Sequence, residues 1–325
     1  MMKKIFYLVF LSILSFESCK PSARQPKAET KLVEVPSFSP DSAYVYVQRQ
    51  VNFGARVPNT KAHEECAAFL SATLARFGAQ VTEQRAVLTA FDGTPLNAVN
   101  IIGSFQPEKK TRVLLFAHWD SRPWADHDPD IQNYHTPVMG ANDGASGVGV
   151  LLEIARQLSQ NQPNVGVDII FFDAEDYGAP ENAVTNMQHS WCLGSQYWAQ
   201  NPHIINYRAK YGILLDMVGA PGATFYREQI SEYFAANIVN KVWSQAQSLG
   251  FGNYFINQKG GTITDDHLYI NRIAGIPSID IIQYDPHSST GFGHYWHTVN
   301  DTMDNIDKNT LHVVGTTVLH VIFNE

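Results

Sequence analysis

Five stretches of the chain are near-continuous in apolar residues: "NAVNIIGSF" from Asn97, "RVLLFAHWD" from Arg112, "VDIIFFDAE" from Val167, "YGILLDMVG" from Tyr211 and "PSIDIIQYD" from Pro277. Alternating apolar and polar residues would mark strands wet on one face. Continuous runs mark strands covered on both faces, as in a largely parallel sheet flanked by helices. Helical spacing lies between them. Residues 143–158 place Val148, Leu151, Leu152, Ala155 and Leu158 on one face, and 229–249 and 307–323 are further helices, the former stopped by Gly250. Another helical stretch gathers Cys66, Phe69, Leu70, Thr73 and Phe77 on its apolar side. This alternation predicts one α/β domain, a three-layer α/β/α sandwich around a central mixed, mostly parallel sheet. No linker, repeat or low-complexity tract interrupts residues 38–325, which form the expected single domain.

The first 37 residues follow another pattern. Lys3 and Lys4 precede an apolar run from Ile5 to Phe16, broken only by Ser12 and Ser15. Such a run is too short for a membrane-spanning helix, which needs about 20 residues, and reads as a signal peptide over residues 1–19. Its end at Ser18-Cys19 resembles a bacterial lipoprotein cleavage site with Cys19 acylated, although Phe16 and Glu17 depart from the usual residues. An ordinary secretory signal is the alternative. Residues 20–37 are polar and proline-containing, a flexible tether. The expectation is an exported protein of the bacterial cell envelope, lipid-anchored and facing the periplasm.

Composition narrows the partners. The 325 residues carry a formal net charge of -8 and no basic stripe, which argues against nucleic acid. Beyond Cys19 only Cys66 and Cys192 remain. Two separately buried thiols are expected, with a disulfide the alternative in an oxidising compartment.

The chemistry sits where the apolar runs stop. One run ends at His118 and Asp120, a second at Asp173, Glu175 and Asp176, and a third carries Asp216. "GANDGASG" places Asp143 at the start of a helix, "TDDHLYI" holds Asp265, Asp266 and His267, and "GHYWHTVND" holds His297. Each has a bland reading alone: Asp143 as a helix cap, His297 as a core histidine. Together, at the carboxyl ends of strands where open α/β sheets bind ligands, they call for a cation. Carboxylates and imidazoles without thiolates suit a catalytic Zn²⁺, and a dication offsets their mutual repulsion. Adjacent residues at a strand end point in different directions. Glu175 and Asp176 can then divide the work, one ligating and one transferring protons.

The ordered set "HWDS", "GANDGASGV", "FFDAEDYG", "LLDMVGA", "DDHLYI" and "WHTVND" resembles the zinc exopeptidase fold, and within it the animal-type glutaminyl-peptide cyclotransferases. The resemblance covers nearly the whole chain beyond Phe38. It implies one zinc per chain, ligated by Asp143, Asp176 and His297, with Asp176 standing where the family usually has Glu. It implies Glu175 as catalytic acid/base, Asp216 and Asp265 as a pair of acids in a hydrogen-bond network beside the metal, and Trp296 and Trp191 as aromatic walls of the substrate pocket. The implied reaction converts N-terminal Gln of peptides and proteins to pyroglutamate with loss of ammonia, by a monomer. A zinc aminopeptidase, using His118, Asp143 and Asp216 for a second metal, is the competing reading. Asp265 before Asp266-His267, and Trp296 before His297, favour the cyclase.

Overall fold

A computed structural model describes residues 1–2, 34–180, 183 and 189–325. Cys19 and nearly all of the expected signal and tether lie outside the described residues. The chain parts into two units, Met1–Leu32 and Val33–Glu325, and every described element falls in the second.

In chain order the elements are α1 (Pro40–Val51), α2 (Lys61–Arg76), β1 (Gln80–Thr89), β2 (Pro95–Phe105), β3 (Arg112–His118), α3 (Ala145–Leu158), β4 (Gly166–Phe172), α4 (Leu193–Gln200), β5 (Gly212–Asp216), β6 (Phe225–Arg227), α5 (Gln229–Ser248), β7 (Phe255–Lys259), α6 (Asp266–Tyr269), β8 (Ser278–Ile282) and α7 (Lys308–Phe323). Six strands form one sheet in the order β1-β2-β4-β3-β5-β8, and β6 pairs with β7 apart from it. Strands β4, β3, β5 and β8 are mutually parallel, while β2 and β1 add antiparallel pairs at one edge. The expected mixed, mostly parallel sheet is present.

The continuous apolar runs have the predicted cause. In β3, Val113, Leu115 and Ala117 face a large core shared with α1, α2, α3, α5 and α7, while Leu114 and Phe116 face a smaller one with Trp198 and Ile270. β4 divides the same way, Ile169 and Phe171 against Ile170 and Phe172. Both faces are dry, so every residue of β3 and β4 is buried. Strand β1 is different: it sits at the edge with no buried residue, and its sequence "QVTEQRAVLT" lacks an apolar run. Helix α5 passes through Leu249 into Gly250 at φ 85°, the glycine stop read from the sequence. Cys66 and Cys192 are separate, buried free thiols. Among the described residues no helix is long and apolar enough to cross a membrane.

Candidate active site

The parallel strands end on one side of the sheet, and their carboxyl ends deliver the acids. His118 closes β3 and Asp216 closes β5. The turn after β4 carries Asp173 to Asp176. Asp143 precedes Gly144, the N-cap of α3 at φ 89°. A side chain at Gly144 would bring a Cβ to 2.8 Å from the Asp120 carbonyl and 2.9 Å from His118 Cε1. Only glycine lets this loop lie against the end of β3.

Three framework acids hold the loops by accepting backbone hydrogen bonds. Asp120 takes the N–H groups of Glu175 and Asp176, both at 3.1 Å. Asp301 takes those of Asn142 and Asp143, at 2.8 and 3.0 Å. Asp173 takes the N–H of Val99 at 2.6 Å and of Ala174 at 2.7 Å, and meets His63 Nε2 at 2.9 Å. Thus Asp173, the first acid of its turn, belongs to the scaffold and not to the cluster it introduces.

Asp143, Asp176 and His297, the expected ligand set, bring one ligand atom each within 4.8 Å of one another, all buried. His297 Nε2 lies 3.5 Å from Asp143 Oδ2 and 3.3 Å from Asp176 Oδ1. Asp176 Oδ1 is buried without a hydrogen bond. Two carboxylates and an imidazole around such an oxygen fit a Zn²⁺-like cation. The competing set is gathered too: His118 Nε2 is 3.0 Å from Asp143 Oδ1 and 3.2 Å from Asp216 Oδ1. Asp143 is common to both groups.

Glu175 and Asp265 form a third cluster with Cys192. Burial pushes the Glu175 carboxyl well above the ordinary carboxylate range; nearby Asp265 and Asp176 push the same way, and His118 opposes them. Burial raises the Asp216 carboxyl to about 7. Asp216 Oδ1 meets His118 Nε2 at 3.2 Å, while Asp265 Oδ1 accepts from the Asp266 N–H at 2.5 Å and its Oδ2 has no hydrogen bond. The two acids line the same cavity.

That cavity, of about 510 Å³, is lined by Asp143, Glu175, Asp176, Asp216, Asp265 and His297 on its polar side, with Trp191 and Trp296 among its walls. Trp191 stacks parallel to the His297 ring at 5.8 Å and Trp296 stacks on it at 3.7 Å. Left-handed backbone in non-glycine residues concentrates here: Ala174, Cys192, Met217 and His297 have φ of 51°, 57°, 46° and 54°. Such strain collects where side chains must be aimed and not merely packed.

Sequence reasoning missed Arg122 and Asp126. The Arg122 guanidinium grips both Asp126 oxygens at 2.6 Å, donates to the Asp176 carbonyl at 3.0 Å and lies 4.4 Å over the Trp191 ring. Asp126 in turn lies 3.4 Å from His297 Nδ1. The signal available was the Arg-x-x-x-Asp spacing directly after "HWDS".

A mostly parallel sheet with a buried carboxylate–imidazole cluster across its strand ends defines the class, an α/β protein built to hold a divalent cation. Peptidase family M28 matches residues 100–322, and the chain belongs to it. It is similar to Bacteroides thetaiotaomicron glutaminyl cyclase solved with N-acetylhistamine, at 59% identity and TM-score 0.88 over 90% of this chain and 100% of that one. It is also similar to a leucine aminopeptidase precursor from Bacteroides thetaiotaomicron, at 58% identity and TM-score 0.87 over 90% and 99%. The bovine glutaminyl-peptide cyclotransferase is 28% identical over 65% of this chain, a match spanning 62% of the bovine protein's length.

Proposed function

We propose that this protein is a zinc-dependent glutaminyl-peptide cyclotransferase, acting as a monomer on peptides and proteins with N-terminal Gln. One observation carries the reading: Glu175 sits in a cluster with a second cavity acid, Asp265, whose Oδ2 is buried without a donor. A peptidase needs one base for water. A cyclase must also hold an amide NH₂ while it leaves, and an unpaired carboxylate oxygen is an acceptor for it. The similarity to solved bacterial glutaminyl cyclases supports the reading.

Asp143, Asp176 and His297 would hold the zinc. Zinc bound there polarises the Gln γ-carbonyl as a Lewis acid. Trp191 and Trp296 confine the Gln side chain so that its own α-amine reaches the carbonyl carbon of the side-chain amide, an intramolecular attack favoured by orientation. Glu175 takes a proton from the attacking amine. The new ring C–N bond forms, the bond from that carbon to the amide nitrogen breaks, and Glu175 returns the proton to the departing ammonia. Its raised proton affinity suits both halves of that exchange. Asp265 and Asp216 accept hydrogen bonds from the reacting amide. No water is consumed.

A zinc aminopeptidase is the second reading, favoured by the equally compact His118, Asp143 and Asp216 group. Incubation with one Gln-initiated and one Leu-initiated peptide separates the two. The cyclase releases ammonia from the first, leaves its chain intact and ignores the second. A freed amino acid and a shortened peptide would replace the proposal with the peptidase.

The mature chain starts at an acylated Cys19 and is anchored in the cell envelope, facing the periplasm. The short apolar run ending at Ser18-Cys19 supports this. Mass spectrometry of protein from its native membrane tests it, and an unlipidated mature chain beginning elsewhere would refute it.

A further inference from the structure

The cluster of Glu175, Cys192 and Asp265 contains a thiol that the reaction does not use. Cys192 comes from the segment that enters α4, and that segment is fastened to the Glu175 turn rung by rung. The N–H groups of Cys192, Leu193 and Gly194 donate to the carbonyls of Glu175, Ala174 and Asp173, each at 3.0 Å. A Cβ at Gly194 would lie 2.2 Å from the Asp173 carbonyl oxygen, so only glycine permits the clasp. With the backbones fixed, and Cys192 held at φ 57°, the thiol reaches the carboxylate: Sγ is 3.0 Å from Glu175 Oε1. Among the described residues this thiol is the one hydrogen-bond donor to that carboxylate.

We propose that Cys192 is a positioning residue: its S–H holds Glu175 Oε1, fixing the carboxylate in the orientation that leaves the other oxygen free to carry the proton. Cys192 is fully buried, packed with Leu268 and Tyr269, and burial together with the Glu175 charge keeps it protonated, so it acts as a donor and not as a nucleophile or ligand.

The inference rests on Glu175 being the acid/base of the proposed cyclase, so the test first identifies the reaction. Wild type, Cys192→Ala and Cys192→Ser, each zinc-loaded, are assayed for ammonia and for freed amino acid from a Gln-initiated peptide. The product decides the function, and the kinetic comparison is made on whichever product forms, since either reaction needs Glu175. The expected result for Cys192→Ala is a fall in kcat of about 10- to 100-fold, a part of the acid–base contribution, with KM within about twofold. Cys192→Ser, which restores a donor, should recover most of the kcat. A Cys192→Ala enzyme with wild-type kcat, a loss confined to KM, or equal losses in both variants would overturn the proposal. Crystal structures of wild type and Cys192→Ala provide a readout independent of turnover: the Glu175 carboxylate should swing away from its wild-type position in the variant, and an unmoved carboxylate would overturn it.

Discussion

Two sets of carboxylates lie within one region of this protein, equally buried and oppositely used. Asp120, Asp173 and Asp301 are fully buried, and each accepts two backbone N–H groups. Asp143, Asp176 and Asp265 are nearly as buried, at 5%, 2% and 3% exposure, yet Asp176 and Asp265 each keep an oxygen with no hydrogen bond. A buried charge without donors is costly unless it is neutralised. Burial holds Asp266 and Asp280 well above the ordinary carboxylate range, which favours their neutral form. For the cavity acids a cation is the other remedy. Burial therefore does not distinguish scaffold from site in this protein; whether backbone N–H groups occupy both carboxylate oxygens does.

The two sets should fail in different ways. The largest effect is expected from removing the cation. Chelation should abolish turnover, and one equivalent of Zn²⁺ per chain should restore it. Elemental analysis giving two zincs per chain, both needed for activity, would mean that the His118 group is also a working site. Next comes Glu175→Gln, which keeps shape and removes proton transfer. Activity should fall by about 10²–10⁴-fold, with zinc content and thermal midpoint unchanged. A variant that retained activity would remove Glu175 from the mechanism.

Scaffold acids should act on stability first. Asp120→Ala strands the N–H groups of Glu175 and Asp176 without an acceptor, and an unsatisfied buried donor costs about 1–3 kcal/mol. Chemical denaturation should show a loss of about 3 kcal/mol in this variant. A fully stable Asp120→Ala protein would show that the turn after β4 is held by the Cys192–Gly194 clasp alone.

pH should sharpen the comparison further. Burial raises the Asp216 and Asp301 carboxyls to about 7 from an ordinary 3.8. An acid whose folded pKa is raised binds its proton more tightly in the folded state. Its stabilising contribution is complete below the unfolded value and is lost as pH rises through the folded one. Chelated protein should therefore melt at a higher temperature near pH 5 than near pH 7.5. Bound zinc should reduce the difference by neutralising the charges that raise Asp216. A chelated protein more stable near pH 7.5 would refute this linkage, because the cluster histidines, whose proton affinity is also raised, push the same way as the acids.

How much of this was legible in the sequence depends on what each feature requires. Strands β2, β3, β4, β5 and β8 announce themselves because burial on both faces demands continuous apolar residues. Edge strand β1, with no buried residue, and the three-residue β6 leave no such trace. The cluster was legible because acids at strand ends are conspicuous; the candidate ligand set rested on the family resemblance alone. Assignment within the cluster was not. Asp120 and Asp143 look alike in sequence; what separates them is where the N–H groups of distant loops point. Trp191 reaches the cavity only because the following residues clasp the 173–175 turn, a pairing between segments that no local pattern encodes.

The smallest predicted effect is also the most discriminating. Asp265→Asn keeps the shape of the side chain and an oxygen to accept the Asp266 N–H, but removes one negative charge from beside Glu175. If Asp265 belonged to the scaffold, the change would weaken the fold. As a cavity acid with an unpaired oxygen, its charge is tolerated for function and contributes nothing to folding, a common trade at active sites. Stability should stay level or rise by about 1 kcal/mol, the sign expected when a repulsive buried charge is removed. Turnover of a Gln-initiated peptide should nevertheless fall at least about tenfold, because the acceptor for the departing NH₂ is weakened. A loss of stability with turnover intact would place Asp265 with Asp120, and would remove the observation that most directly separates a cyclase from a peptidase on this scaffold.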